Sequence, residues 1–73
     1  MSRTIKVKVI DKNGYGLSGY RVKAYGGEEQ RTTRDGMALV DADGSTVTIF
    51  VNGRTEYAGS VSRCPNPLVI ERS

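Results

Sequence analysis

Apolar and polar residues alternate along most of this sequence, and clusters of Gly, Asn and Asp interrupt the alternation every eight to twelve residues. A period of two is that of a β-strand, because successive side chains of a strand point to opposite faces of its sheet. Short alternating segments separated by turn residues at this spacing are typical of all-β domains. The pattern therefore predicts an all-β fold without helices.

The alternation predicts seven short strands. Their approximate ranges are 1–9, 20–25, 29–33, 37–41, 46–51, 55–61 and 68–71. Segment 46–51 is β-branched or aromatic at every position, so we expect it in the centre of a sheet. Segment 29–33 is polar and has little to bury, so we expect it at an edge.

The length of 73 residues limits the fold to one hydrophobic core. A chain of this size buries only roughly 60% of the surface that its unfolded form exposes, which is too little for a second core. We therefore treat residues 1–73 as a single domain, and seven short strands in it predict a small β-sandwich. The expected interior consists of inward-facing residues of these strands: Val7, Val9, Val22, Ile49, Val51 and Tyr57.

The Asn-Gly pair that follows Val51 permits two hairpin registers. A two-residue turn is the strongest expectation for Asn-Gly, but it pairs Ile49 with Glu56 and so turns charged residues toward the core. A three-residue loop pairs Ile49 with Tyr57 and Val51 with Thr55, which keeps the apolar residues on one face. We expect the longer loop.

Two segments carry a resemblance to a known family. Residues 9–22 read V-I-D-K-N-G-Y-G-L-S-G-Y-R-V, which resembles the pattern V-x-D-x-x-G-x-P-L-x-G-A-x-V at the start of carboxypeptidase regulatory-like, or transthyretin-like (prealbumin-like), domains. Residues 32–39 are similar to the family's turn into the next strand, and residues 49–61 to its I-x-V-x-G hairpin. This sequence has Gly16, Tyr20 and Thr33 where the family usually has Pro, a small residue and Asp.

The resemblance covers roughly residues 5–61 and implies an all-β fold, a small Ig-like or prealbumin-like sandwich of about seven short antiparallel strands. Domains of this family are typically non-catalytic modules that stabilise, space or dock neighbouring domains or proteins. The resemblance therefore implies a binding or structural role, and it transfers no catalytic residue.

The sequence offers few residues for catalysis. It contains no His and one Cys, so it lacks the usual general base and cannot form a zinc site from cysteines alone. We expect that the protein is not an enzyme and holds no metal or cofactor. Cys64 is a candidate nucleophile because the neighbouring Arg63 can lower the pKa of its thiol. We expect instead that Cys64, which precedes Pro65, is a small, partly buried apolar residue without a chemical role.

Two short motifs resemble ligand loops. Residues 41–44, D-A-D-G, have acidic residues at alternate positions, as a calcium loop does, but the third acidic position and the terminal Glu are missing. We expect a plain turn there. Residues 14–16, G-Y-G, lack the following helix that a phosphate-binding loop requires.

The single cysteine cannot form an intramolecular disulfide, which favours a reducing compartment. The first nine residues alternate basic and apolar side chains and contain no apolar run typical of a signal peptide. No stretch is apolar for the ~18–20 residues that a membrane-spanning helix needs. We therefore expect a cytoplasmic location and no membrane association.

Positive charge is concentrated in the first half of the chain, with a net +5 over residues 1–34 against −2 over residues 35–73. If the first two strands are antiparallel neighbours, Lys6, Lys8, Arg21 and Lys23 share one outer face, where opposed like charges destabilise the sheet and suggest a function. Tyr25 shares this face and adds a stacking surface. We predict these five residues as a candidate binding surface, and the alternative is a solvated face whose lysines block aggregation.

Three apolar residues, Ile10, Phe50 and Val69, fall on the outward face of their strands. Loops, bulges or a second copy must cover some of them, and we name Phe50 as the candidate self-association residue.

Our first hypothesis for function is a non-catalytic protein–protein interaction or structural accessory module, with a protein partner or a homo-oligomer. The alternative is a small basic nucleic-acid-binding β-protein, and a small-ligand binder is a third, less favoured hypothesis.

Overall fold

In a computed structural model, residues 2–72 are described, and they form seven strands in two sheets without a helix. The strands are β1 Ser2–Ile10, β2 Arg21–Ala24, β3 Gln30–Arg31, β4 Met37–Asp43, β5 Thr46–Val51, β6 Arg54–Ser60 and β7 Leu68–Glu71. The predictions of an all-β fold and of seven strands are confirmed.

The strands divide into a three-stranded sheet of order β4-β1-β7 and a four-stranded sheet of order β3-β2-β5-β6. The position of β5 between β2 and β6, and of β3 at an edge, agrees with the sequence pattern. β1 and β7 run parallel, so the prediction of exclusively antiparallel strands is wrong for this pair. Residues 61–67, which include the cis peptide bond Asn66-Pro67, return the chain from β6 to the three-stranded sheet. The whole of residues 11–67 separates β1 from β7, and a connection this long permits parallel pairing.

The two sheets share one core built from alternate residues of their strands. Five of the six residues expected inside are fully buried, namely Val7, Val9, Val22, Ile49 and Val51. Tyr57 is half-buried against this core, and its hydroxyl donates a hydrogen bond to the carbonyl of Ser60 at 2.6 Å. The period of two therefore located the interior correctly.

The hairpin between β5 and β6 combines both registers that the sequence permits. Val51 pairs with Arg54 across a two-residue turn, so the expected three-residue loop is wrong. Ile49 nevertheless pairs with Tyr57, as expected, because the register shifts by one residue between Ile49 and Phe50. The extra residue is Glu56, a β-bulge that lets the tight turn and the inward apolar face coexist.

The loop after β1 crosses the loop before β4 at two glycines. A Cβ at Gly16 would overlap the carbonyl group of Asp35, and a Cβ at Gly36 would lie 2.8 Å from the Cα of Gly16 and overlap the carbonyl oxygen of Val9. No side chain fits at this crossing. This close approach explains why position 16 is Gly, whereas the family that the sequence resembles usually has Pro there.

Candidate binding surface

The predicted binding residues lie on two different faces of the molecule. Lys6 and Lys8 belong to β1 in the three-stranded sheet, whereas Arg21, Lys23 and Tyr25 belong to β2 or its end in the four-stranded sheet. The condition for one shared face, that the first two strands are antiparallel neighbours, is therefore not met. Residues 11–20 do not form a hairpin but carry the chain across to the opposite sheet.

The four-stranded sheet brings three of the five predicted residues together with Phe50. Lys23 pairs directly with Phe50 across β2 and β5, and the amide of Tyr25 donates a hydrogen bond to the carbonyl of Thr48 at 2.8 Å. An open cavity of about 560 Å³ is lined by Arg21, Lys23, Tyr25, Gly26, Glu29, Phe50 and Gly53. We call the surface formed by Arg21, Lys23, Tyr25 and Phe50 the basic-aromatic groove.

The two aromatic side chains of this groove differ in exposure. Tyr25 is 82% exposed, which is high for a large amphipathic ring. Phe50 is half-buried although it faces outward, since its neighbours on β2 and β6 flank it. Together they give the groove an apolar surface beside its cations.

The groove has a surplus of positive charge at one end. Arg21 lies opposite Arg31 across β2 and β3, an arrangement of like charges that destabilises a sheet. Glu29, the acidic residue in the lining of the groove, has its carboxylate 4.0 Å from Nε of Arg21, and both side chains are about half exposed. An ion pair so exposed contributes little. The lining of the groove therefore has two cations, Arg21 and Lys23, against one carboxylate.

The turn at Asn52 holds the start of β2 in place. The side-chain oxygen of Asn52 accepts a hydrogen bond from the amide of Arg21 at 3.0 Å, and its own amide donates to the carbonyl of Arg21 at 2.7 Å. Asn52 has a φ of 52°, a left-handed conformation that Asn tolerates better than most residues. The Asn-Gly turn therefore fixes one end of the groove as well as the hairpin.

Lys6 and Lys8 lie on the outer face of the other sheet among apolar residues. Lys6 pairs with Leu39, and Lys8 is flanked by Met37 on β4 and Val69 on β7. Leu39 and Val69 are each about half exposed, at 54% and 51%. Leu39 was not among the predicted outward-facing apolar residues, although its position between two inward-facing residues of β4 indicates an outward side chain.

Cys64 is buried in the core, as expected for a small apolar residue. Burial raises the pKa of its thiol above the ordinary value of 9.0, and the positive charge of Arg3 opposes this to a smaller extent. Arg63, the neighbour in sequence, is not the cation that acts on it. A protonated, buried thiol is a poor nucleophile.

The segment that resembles a calcium loop continues β4 through Asp43 and turns at Gly44. Asp41 accepts a hydrogen bond from the hydroxyl of Thr4 at 3.1 Å. Within residues 2–72 no three His, Cys, Asp or Glu side chains are grouped as metal ligands.

Comparisons of this chain with protein-family models, curated proteins and solved structures gave no significant match. In the described part of the chain, no helix has the length and apolar character needed to cross a membrane.

Proposed function

We propose that this chain is a non-catalytic β-sandwich interaction module, of the Ig-like and transthyretin-like kind that its sequence resembles, and that it binds a protein partner through the basic-aromatic groove. The observation that carries the proposal is the convergence of Arg21, Lys23, Tyr25 and Phe50 on one sheet face. Exposed aromatic and Arg side chains in one patch are the residue types that dominate binding energy at protein interfaces.

The chemistry of the groove indicates the kind of segment that it would bind. Arg21 and Lys23 favour a carboxylate, and Arg presents a planar pair of donors that suits it. Tyr25 and Phe50 favour an apolar side chain next to that carboxylate. The proposed partner therefore carries an acidic segment with an adjacent apolar residue.

A second candidate is single-stranded nucleic acid on the same groove. The specific observation in its favour is that two aromatic rings lie beside two cations, the combination on which bases stack while phosphates are neutralised. We favour the protein partner because Glu29 lies within the groove and because Arg21 and Lys23 neutralise few phosphates.

Self-association remains a further proposal, since Phe50 is an outward-facing aromatic residue in a chain with a small core. Sedimentation at micromolar concentration tests it: a dimer that Phe50→Ser dissociates supports this role, and a monomer of 7.9 kDa contradicts it. We also propose a cytoplasmic location, which the single buried thiol supports.

Selection from a library of random 12-residue peptides tests the class of partner. We expect selected peptides to combine Asp or Glu with an aromatic or aliphatic residue, and to keep most of their affinity from about 0.05 to 0.15 M salt. Mixed-sequence single-stranded and duplex oligonucleotides, followed by fluorescence anisotropy, form the second arm. Binding of single strands with a log-log salt slope of about −0.7 per phosphate contact would replace the protein partner by nucleic acid.

A further inference from the structure

The outer edge of β4 is open, and its hydrogen-bonding direction follows from Met37. The amide of Thr33 donates to the carbonyl of Met37 at 2.8 Å, and the amide of Met37 donates to the hydroxyl of Thr33 at 3.3 Å. Both backbone groups of Met37 therefore point away from β1, its partner in the sheet. In an antiparallel pair this orientation recurs at every second residue.

Leu39, Asp41 and Asp43 thus direct their backbone groups to the same open edge. The residue opposite Leu39 agrees with this, because the amide of Lys6 turns to the other side of β1 and donates to the side-chain oxygen of Asn66 at 3.0 Å. Within residues 2–72 the backbone groups of Leu39 and Asp41 have no partner in a loop, a side chain or the four-stranded sheet. These unpaired groups are what an added strand requires.

A cavity of about 280 Å³ with a partly apolar lining opens beside this edge. Four residues of the shared core contribute to its lining: Ala24, Val40, Ala42 and Val47. The cavity lies between the two sheets because β3 pairs with only two residues of β2, Arg21 and Val22, and leaves the end of β2 uncovered. Its size suits one aliphatic side chain.

The charged residues that line this cavity are all acidic, whereas Lys6 and Arg31 line the neighbouring cavity along the same edge. Glu28, Asp41 and Asp43 belong to its lining, and no Lys or Arg does. A second copy of β4 does not complement them, since the strand reads M-A-L-V-D-A-D and contains no basic residue. A segment with Lys or Arg on one face does complement them.

We propose that β4 binds an extended segment of a partner protein by strand addition, with an aliphatic residue of that segment in the cavity and basic residues beside Asp41 and Asp43. This site adjoins the basic-aromatic groove, because Tyr25 and Gly26 contribute to the lining of both cavities, but its strand edge belongs to the other sheet and its charged residues are acidic. The module would then contact two segments of opposite charge.

A synthetic peptide with alternating Lys and aliphatic residues, Lys-Val-Lys-Leu-Lys-Val-Lys, tests the proposal. Hydrogen exchange followed by NMR should show the amides of Leu39 and Asp41 slowed at least tenfold by saturating peptide, with the amide of Lys23 unchanged. The same peptide with Pro at its centre should give no protection, because Pro lacks an amide donor. Absence of protection at Leu39 and Asp41 overturns the proposal.

Two double variants test the charge complementarity. We expect Glu28→Lys with Asp43→Lys to weaken peptide binding at least tenfold, and the matched control Asp35→Lys with Glu71→Lys, also at exposed acidic positions, to change it less than threefold. Equal affinity of the two double variants contradicts the proposal. Protection of the β4 edge that rises with protein concentration without peptide also contradicts it, since a second copy would then be the occupant.

Discussion

The carboxylate of Glu56 lies 3.2 Å from Nη1 of Arg72, with each side chain about 20% exposed. Glu56 is the bulge residue of β6, and Arg72 follows β7, so the contact joins the two sheets. Nη2 of Arg72 also donates a hydrogen bond to the carbonyl of Val51 at 3.2 Å. The bulge therefore places a charged side chain near the interior, where a cation from the other sheet compensates it.

Replacing Arg72 with Met should destabilise the domain because Glu56 then loses its cation in a mostly buried position. We expect a loss of about 1–3 kcal/mol in the free energy of unfolding. Urea unfolding of Arg72→Met, Glu56→Gln and the double variant measures the coupling. Additive effects of the two single changes would show that the contact contributes nothing.

The same contact explains why the hairpin register could not be predicted. The expectation that charged residues face away from a core excluded the two-residue turn, since Glu56 would have faced inward without a partner. Arg72 is distant in sequence from Glu56, and no local pattern indicates that the two meet. A bulge, which permits both the tight turn and the pairing of Ile49 with Tyr57, was therefore not foreseen.

The close approach of Gly16 and Gly36 predicts that alanine at position 36 destabilises the domain more than alanine at position 14, although Gly36 and Gly14 have similar φ angles. Gly36 has a φ of 80° and no room for a Cβ, whereas Gly14 has a φ of 89° and no atom within 4 Å of a Cβ. Gly14→Ala should destabilise the domain by about 1 kcal/mol through backbone strain alone. Gly36→Ala should cost about 3 kcal/mol or more, because the methyl group adds a steric overlap.

Thermal unfolding of both variants by circular dichroism compares them. Equal midpoints for Gly14→Ala and Gly36→Ala would mean that the crossing is not as close as described.

The assignment of Ile49 to the core predicts that Ile49→Asp unfolds the domain. Ile49 is fully buried, and an unpaired carboxylate there costs several kcal/mol or more, close to the whole stability of about 5 kcal/mol expected for a domain of this size. The control Leu39→Asp, at an exposed position of β4, should remain folded. A native circular dichroism spectrum for Ile49→Asp would contradict the core assignment.

The raised pKa of the Cys64 thiol predicts a loss of stability at high pH. Above the ordinary thiol pKa of 9.0, the unfolded chain has lost this proton while the folded chain retains it, so the unfolded state binds fewer protons and stability falls as pH rises. Urea unfolding at pH 7.5 and pH 10 should show that the wild-type protein loses more stability than Cys64→Ala, which shares every other titrating group. An equal loss in both proteins would contradict the effect of burial.

The residues of the groove could be predicted only in part. Strand parity alone places Arg21, Lys23 and Tyr25 on one face, because this relationship is local. The pairing of Lys23 with Phe50 joins strands separated by β3 and β4, so no local pattern reveals it. Lys6 and Lys8 were misplaced for a related reason: the connection at residues 11–20 is compatible in sequence with a hairpin or with a crossing to the second sheet.

The central proposal, that the basic-aromatic groove binds a protein partner, is tested most directly by exchanging charge and aromatic character at two matched places. Lys23→Glu with Tyr25→Ser changes the groove, and Lys12→Glu with Tyr15→Ser makes the same two changes at exposed positions of the turn after β1. Fluorescence anisotropy with an acidic, apolar peptide selected on the wild-type protein measures the affinity of each. We expect at least tenfold weaker binding for the groove variant and less than threefold for the control, and equal binding by the two double variants would contradict the proposal.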